Sequence, residues 1–248
     1  MLLAIDIGNT STEAGVFDGD SLVKTFRIES SFNAEEFDEF LLKNFGNQNF
    51  EKIIIASVIK NKDFLLKKFL DKKYNVDSFI VNSDSPLDFS VNLDSPSSLG
   101  ADRIANVAAA HSLYKYPAAV IDVGTATTFD IIDEKGDFSG GLIMSGLRLQ
   151  LESLFDKTSK LPLVEIRDIN TAMAKNTEDA ILAGVVLGHA FAIDGLIKQY
   201  EKELNQKLTV ILTGGYSNFI CKHLSINSYI LNPNLTLEGL RIIAYGKN

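Results

Sequence analysis

The chain has 248 residues, of which 46% are hydrophobic, and a net charge of −8 at pH 7. This length suits one large domain or two ordinary ones with a substantial core, and the acidic balance without a basic run disfavours nucleic acid as a partner. The single cysteine, Cys221, excludes an intramolecular disulfide. Because no apolar run approaches the ~20 residues of a membrane span and no apolar leader follows a basic start, we expect no membrane partner and a cytoplasmic location.

The first half of the chain predicts a meander of strands followed by alternating helices and strands. Short β-prone runs between turns predict antiparallel strands at 2–8, 12–18 and 21–28. The next predicted elements are a helix at 33–45, a strand at 52–58, a helix at 62–70 and a strand at 76–81. The expected buried faces consist of Phe37, Phe40, Leu41 and Phe45 on the first helix and of Phe64, Leu65, Phe69 and Leu70 on the second.

A loop rich in Ser, Asp, Asn and Pro is predicted at 82–98, in a position where binding residues often occur. A helix follows to Leu113, and we expect Ser97 or Ser98 to cap it. The second half then predicts strands at 118–123, 127–132, 137–143 and 208–212, helices at 145–155, 176–204 and 234–245, and a glycine turn at 213–217.

The long helix at 176–204 contains Gly184, Gly188 and Gly195. Each glycine costs up to ~1 kcal/mol relative to alanine in a helix. We therefore expect another element to pack closely against this helix, either from a sister subunit or from the same chain. The three histidines, at 111, 189 and 223, are scattered, and we expect them to be helix or surface residues rather than ligands or bases.

One short motif occurs twice, as Asp6-Ile-Gly-Asn-Thr10 and as Asp122-Val-Gly-Thr-Ala-Thr-Thr128. In each copy an Asp ends a β-prone run and a Gly opens a turn, so that a phosphate can approach the backbone N–H groups. The following hydroxyls can donate to phosphate oxygens, and the Asp suits Mg²⁺. Neither copy has the dinucleotide-binding or P-loop glycine spacing. The repeat predicts a two-lobed protein with a nucleotide site in a cleft between matching hairpins.

A third candidate element is Gly100-Ala101-Asp102-Arg103, in the first turn of the helix after the loop. An Arg at this position can clamp a carboxylate or phosphate, and an Asp can accept a proton from a hydroxyl nucleophile. The alternative is that Asp102 only complements the helix dipole and Arg103 faces solvent. The two phosphate hairpins favour the functional interpretation.

Together these motifs resemble the acetate-kinase, sugar-kinase, Hsp70 and actin superfamily, and within it type III pantothenate kinase. The resemblance spans nearly the whole chain and also includes Gly140-Gly-Leu-Ile143, Asn176-Thr177 and the glycine turn Thr213-Gly-Gly-Tyr-Ser217, which corresponds to an adenosine turn. It implies an α/β fold of two duplicated ribonuclease H-like (actin-like ATPase) lobes, at 1–113 and 114–248, with mixed sheets flanked by helices. It also implies ATP-dependent phosphorylation of pantothenate, the first step of coenzyme A biosynthesis, and a homodimer.

The resemblance further implies a role for individual residues. Asp102 is the general base, and Asp6 lies near Mg²⁺. Asp122 binds a monovalent cation, K⁺ or NH₄⁺. The implied ATP contacts are Asp6, Ile7, Gly8, Asn9, Thr10, Ser11, Thr12, Glu13 and Thr125, and the implied substrate contacts are Leu93, Gly100, Ala101, Asp102, Arg103 and Thr177.

The chain departs from the family pattern at two positions. Leu93 stands where the family usually has a substrate-contacting Tyr, and Met144-Ser-Gly146 stands where a Pro-Gly usually follows the Gly-Gly turn. Loss of the Tyr hydroxyl removes one hydrogen bond, worth about 0.5–1.5 kcal/mol. Two alternatives therefore stay open: a kinase for another small hydroxyl compound, and a non-catalytic accessory or regulatory relative.

Overall fold

The computed structural model describes residues 1–226 and 228–246 and divides into two α/β units. The first unit comprises Met1–Tyr114 together with the C-terminal segment from Asn234, and the second comprises Lys115–Pro233. The predicted boundary at 113/114 lies one residue from the observed one. The C-terminal segment, however, belongs with the first unit and not with the second lobe.

The first unit contains a five-stranded sheet in the order β3-β2-β1-β4-β5. Strand β1 is antiparallel to β2, and β2 to β3, so the predicted meander is confirmed, while β4 lies parallel to β1. The elements of this part are β1 (Leu2–Ile7), β2 (Ser11–Asp18), β3 (Ser21–Glu29), α1 (Ala34–Phe45), β4 (Lys52–Ser57), α2 (Lys62–Tyr74), β5 (Phe79–Ile80) and α3 (Ala101–Leu113).

The second unit repeats this topology, with a sheet in the order β10-β9-β6-β7-β8. Its strands β6, β7, β8, β9 and β10 correspond in order to β1 to β5, which confirms the duplication predicted from the hairpins. The elements are β6 (Ala118–Val123), β7 (Ala126–Ile132), β8 (Phe138–Ser145), α4 (Leu147–Lys157), α5 (Thr177–Leu182), a π-helical turn (Ala183–Leu187), α6 (Gly188–Leu204), β9 (Thr209–Thr213), α7 (Ser217–Ile220) and β10 (Ile230–Leu231).

The last helix, α8 (Leu235–Tyr245), packs against α3 of the first unit. Gly239 allows the close approach, because a Cβ at this position would lie 1.8 Å from the carbonyl oxygen of Ala105. The Thr236 hydroxyl donates to Asn106 Oδ1 at 2.8 Å, and these contacts fix α8 within the first unit. No local sequence signal reports such a long-range pairing, which is why the predicted lobe division placed this helix incorrectly.

The predicted buried face of α2 is wrong for Phe64 and Leu65 and confirmed for Leu70. Phe64 and Leu65 are each 64% exposed, whereas Leu66 and Leu70 are buried. Residues four apart share one side of a helix, so the 66/70 pair defines the inner face and turns the preceding two residues outward. On α1, Phe40 is likewise 38% exposed.

The helical run Thr177–Leu204 is long and apolar enough to cross a membrane by length and composition, with a mean hydropathy of 2.0 in its most apolar window. However, 56% of that window is buried inside the protein, as in the core helix of a soluble protein. The run is thus weak evidence for a membrane span.

Candidate active site

The first hairpin, between β1 and β2, carries a row of charged side chains. Asp6 lies opposite Glu13 on β2, and Glu13 lies opposite Arg27 on β3. Residues in one register project from the same face of a sheet, so these three side chains are neighbours. Burial raises the pKa of Glu13, and the positive charge of Arg27 opposes that rise. The row offers two carboxylates and one guanidinium where β1 ends.

The turn of this hairpin is stabilised by hydrogen bonds from neighbouring residues of the first unit. The Gly8 N–H donates to Ser11 O at 3.1 Å, so it serves the turn and is not aimed at a ligand. Ser30 Oγ donates to Gly8 O at 2.6 Å, and Thr12 Oγ1 lies 2.9 Å from Ser30 Oγ. Because Ser30 has a single hydroxyl proton, Thr12 is the donor in that second bond. The buried Thr12 hydroxyl therefore supports the turn.

The other predicted ATP contacts of this hairpin differ in exposure. Ile7 is fully buried in the core of the first unit, so its side chain does not line a polar site. Asn9 and Thr10 are exposed at the tip of the turn. Ser11 is half-buried and accepts a hydrogen bond from Arg27 Nε at 2.8 Å. The tip residues are therefore the ones placed to contact a ligand.

The second hairpin, between β6 and β7, carries a row of a different kind. Asp122 lies opposite Thr128 on β7 and, on its other side, opposite Thr213 on β9. The hydroxyl oxygens of both threonines are buried and have no hydrogen-bond partner among the described residues. Buried polar atoms without partners indicate a missing water or ion. A carboxylate flanked by two such hydroxyls is an oxygen donor set that fits a monovalent cation.

Two glycines allow the backbone to approach the second hairpin closely: Gly214 lies beside Asp122, and Gly146 lies beside the turn. Gly214 has a φ of +90°, and a Cβ there would lie 2.2 Å from Asp122 Oδ1, so only glycine fits beside the carboxylate. Gly146, at the start of α4, donates its N–H to Thr125 O at 3.0 Å. A Cβ on Gly146 would lie 2.2 Å from Gly124 O. The exposed Thr125 thus lies at the tip of a turn whose backbone is held by Gly146.

Asp102 lies in the first turn of α3, which begins at Ala101 with Gly100 as its N-cap. The predicted caps, Ser97 and Ser98, are wrong, because both residues lie in a short 3₁₀ turn, Pro96–Ser98. The carboxylate folds back over Gly100, where a Cβ would lie 2.5 Å from Asp102 Oδ1, and it accepts the Arg103 N–H at 2.8 Å. Burial raises the pKa of Asp102, and Arg103 opposes that rise. A higher pKa makes the carboxylate a better proton acceptor.

The start of α3 lies at the same sheet end as the first hairpin. A Cβ on Gly100 would lie 4.0 Å from Val58 Cγ1, and the Val58 N–H donates to Ile7 O at the end of β1. Ligands of open α/β sheets bind outside the carboxyl ends of the strands. The structure therefore brings Gly100, Asp102 and Arg103 to the same end of the sheet as the first turn.

The remaining predicted substrate contacts differ in exposure. Ala101 is buried, so only its backbone is available. Leu93 is half-buried in the loop before α3. Thr177 is exposed and begins α5 in the second unit, directly after Asn176, whose side chain caps this helix by accepting the Asp179 N–H at 2.9 Å.

The sequence reasoning missed Arg27, Thr128 and Thr213 as members of the two rows. Thr213 belongs to the quoted glycine turn but was given no role of its own, and Thr128 was included only among the hydroxyls that follow the second glycine, which can donate to phosphate or lie near a metal. The signal lies in strand register: once β2 and β3 are aligned through their short turn, Arg27 falls opposite Glu13. Thr213 needs the parallel pairing of β6 with β9, which joins distant parts of the chain.

The two duplicated lobes and their matching hairpins define the class as proteins of the actin-like ATPase fold. The chain superposes on the ROK hexokinase of Thermus thermophilus with a TM-score of 0.50 and 16% identity, covering 98% of this chain and 97% of that one. Such a likeness establishes the fold alone.

The sequence comparisons identify the family within that class. Residues 2–199 match the type III pantothenate kinase family. The chain is 35% identical to the type III pantothenate kinase of Geotalea daltonii, covering 100% of this chain and 99% of the relative. It is 38% identical to that of Desulforapulum autotrophicum, covering 98% and 96%. The chain therefore belongs to the type III pantothenate kinase family and is a kinase.

Proposed function

We propose that this chain transfers the γ-phosphoryl group of ATP to the terminal hydroxyl of pantothenate, giving 4′-phosphopantothenate and ADP. The observation that carries the proposal is Asp102. This carboxylate of raised pKa lies at the start of α3, at the same sheet end as the first turn, in a chain that belongs to the family. In a cytoplasmic enzyme the reaction would begin coenzyme A synthesis.

Asp102 accepts the proton of the attacking hydroxyl in this proposal. Arg103, the next residue, neutralises charge on the substrate or on the transferring group. Little covalent chemistry is required of the protein in phosphoryl transfer, so positioning and electrostatics supply most of the rate. Leu93 offers apolar contact where a hydroxyl is usual in the family, so we expect weaker pantothenate binding and unchanged chemistry.

The tips of the two hairpins, Asn9-Thr10 and Thr125, contact the ATP phosphates in the proposal. Asp6 and the neighbouring Glu13 supply carboxylate oxygens for Mg²⁺, which neutralises phosphate charge when bound with ATP. No group of three or more His, Cys, Asp or Glu side chains able to hold a metal occurs among residues 1–226 and 228–246. Mg²⁺ is usually held by one or two carboxylates, substrate phosphates and water, and Asp6 and Glu13 supply two carboxylates.

We assign the monovalent cation, K⁺ or NH₄⁺, to the row of Asp122, Thr128 and Thr213. The support is the pair of buried hydroxyls without partners on either side of the carboxylate. A monovalent cation at this row would satisfy both hydroxyls and offset the carboxylate charge.

We further propose a homodimer through the face of the long helical run. A groove of about 400 Å³ lies there, and it includes Gly184, Gly188, Met173 and Phe191. Met173 is 84% exposed and Phe191 is 58% exposed. A Cβ on Gly184 or Gly188 would meet no atom of the described residues within 4 Å, so packing within the chain does not explain these glycines. A second copy of the chain would cover this face.

The deciding experiment is ADP release by the purified chain with ATP, Mg²⁺ and K⁺, with and without pantothenate. We expect pantothenate-dependent release and a product with the mass of 4′-phosphopantothenate. Release with another hydroxyl compound only would indicate the alternative acceptor. ATP binding without turnover on any acceptor would indicate the non-catalytic relative.

A further inference from the structure

A chain of hydrogen-bonded polar groups, of which Thr127 and His189 are buried, lies behind the second hairpin in the second unit. Gln150 Nε2, on α4, lies 2.9 Å from Ser145 O and 3.0 Å from His189 Nδ1. His189 Nε2, on α6, lies 3.0 Å from Thr127 Oγ1 on β7. Thr127 is fully buried and His189 is 2% exposed. His189 lies on a helix, as expected, and the structure adds that its ring is buried between two polar side chains.

The donors and acceptors of this chain follow from chemistry. Ser145 O can only accept, so the amide of Gln150 must present its NH₂ group to that carbonyl. The same nitrogen can only donate, so His189 Nδ1 accepts and carries no proton. The neutral ring then holds its proton on Nε2 and donates it to Thr127 Oγ1. Burial lowers the pKa of His189 to about 4, so the ring stays neutral near pH 7.

The groups at the two ends of this chain border the turn that carries Thr125. Thr127 is the second residue of β7, and Ser145, the last residue of β8, pairs with Ala126. Gly146 follows directly and donates to Thr125 O. The turn is therefore fixed from three sides: through Thr127, through Ser145 and through Gly146.

The first hairpin has a counterpart at the same place. Thr12 pairs with the last residue of β1, as Thr127 pairs with the last residue of β6. Both threonines are fully buried. Thr12 is held by Ser30, and Thr127 is held by His189. A buried threonine supported by a second side chain is thus common to both duplicated hairpins, although the supporting group differs.

We infer that His189 is a positioning residue of the second hairpin. Gln150 holds the ring as its Nε2–H tautomer, and the ring fixes Thr127. In this way His189 fixes the turn that presents Thr125 to the nucleotide. The inference rests on the proposed function for its kinetic consequence. It does not rest on that function for the tautomer, nor for nucleotide affinity in the absence of any acceptor.

The first test is the tautomer, read from long-range ¹H–¹⁵N spectra of the whole chain, with the His189→Gln variant assigning the signal. We expect an unprotonated Nδ1 and a protonated Nε2 at neutral pH. A proton on Nδ1, or a charged ring, would overturn the inference whatever reaction the chain catalyses.

The second test compares His189→Leu, which removes both hydrogen bonds, with His189→Gln, which can restore a donor near the Nε2 position. For His189→Leu we expect nucleotide affinity by calorimetry to fall about tenfold, as for one lost buried hydrogen bond, and KM for ATP to rise similarly. KM for pantothenate should stay within about twofold if positioning is confined to this hairpin. His189→Gln should recover most of the nucleotide affinity.

The matched control is His111→Leu, which removes a histidine from α3 in the first unit and should leave nucleotide affinity unchanged. If His189→Leu does not fold, Thr127→Val removes the accepting hydroxyl at nearly constant shape and should give the same loss. Unchanged nucleotide affinity in a folded variant, or equal losses for ATP and pantothenate, would reduce His189 to a packing residue. If the wild-type chain binds nucleotide but does not phosphorylate pantothenate, the proposed function fails while the calorimetric comparison still decides the role of His189.

Discussion

Gly146→Ala should disrupt the turn of the second hairpin, at Gly124 and Thr125. The added methyl carbon would lie 2.2 Å from Gly124 O and 2.5 Å from Thr125 O, both of which are backbone atoms that cannot rotate away. Overpacking of this kind costs about 1–3 kcal/mol, and loss of the Gly146 N–H to Thr125 O bond adds about 0.5–1.5 kcal/mol. We therefore expect the free energy of unfolding to fall by about 1.5–4.5 kcal/mol, together with a lower apparent affinity for ATP.

Urea unfolding and steady-state kinetics with varied ATP would measure these two effects. The control is Gly195→Ala on α6, where a Cβ meets nothing within 4 Å and a helical alanine should add up to about 1 kcal/mol. If Gly146→Ala kept the wild-type unfolding free energy and KM for ATP, then the turn would not depend on this close approach and the reasoning would be refuted.

Three further predictions concern the base, the cation and the oligomer. Asp102→Asn should abolish most turnover. Because burial raises the folded-state pKa of Asp102, ionisation of this carboxylate destabilises the wild type as pH rises. Thermal unfolding across pH should therefore show the variant gaining stability relative to the wild type from acid towards neutral pH. Wild-type kcat should fall as acid protonates the same carboxylate, and a kcat independent of pH on the acid side would contradict its role as base. Thr213→Val should raise the K⁺ concentration needed for half-maximal activity about tenfold, by loss of one oxygen ligand, whereas an unchanged K⁺ dependence would remove Thr213 from the cation site. Phe191→Glu should convert a dimer to a monomer, as measured by light scattering. Phe64→Glu, at a similarly exposed aromatic residue of α2, should not. Equal behaviour of the two variants would place the interface elsewhere.

The sequence was informative wherever the signal was local. Both hairpins, the meander and the long helical run follow from turn residues and periodicity, and the structure places them within a few residues of their predicted bounds. The prediction was wrong where the outcome depends on distant partners. The inner face of α2 follows from what Leu66 and Leu70 meet, and the position of α8 depends on contact between Gly239 and Ala105. Neither dependence is visible in a window of a dozen residues.

The site shows the same division between local and distant information. Asp6, Asp102 and Asp122 carry recognisable motifs, so their importance is evident from spacing alone. His189 has no motif, because its function depends on Gln150 and Thr127, which are 39 and 62 residues away along the chain. A buried polar network is defined by geometry and leaves no periodic pattern in the sequence.

The duplicated units show how one scaffold supports two kinds of chemistry. Asp6 and Asp122 occupy the same place on corresponding strands, but the connection after the first has three residues and that after the second has two. Thr12 and Thr127 occupy corresponding positions despite this difference, and the residue opposite the Asp is Glu13 in one hairpin and Thr128 in the other. Two neighbouring carboxylates concentrate negative charge and favour a divalent ion, whereas one carboxylate between hydroxyls favours a monovalent one. On this argument, the different residue opposite the Asp, Glu13 or Thr128, distinguishes the proposed Mg²⁺ hairpin from the proposed K⁺ hairpin.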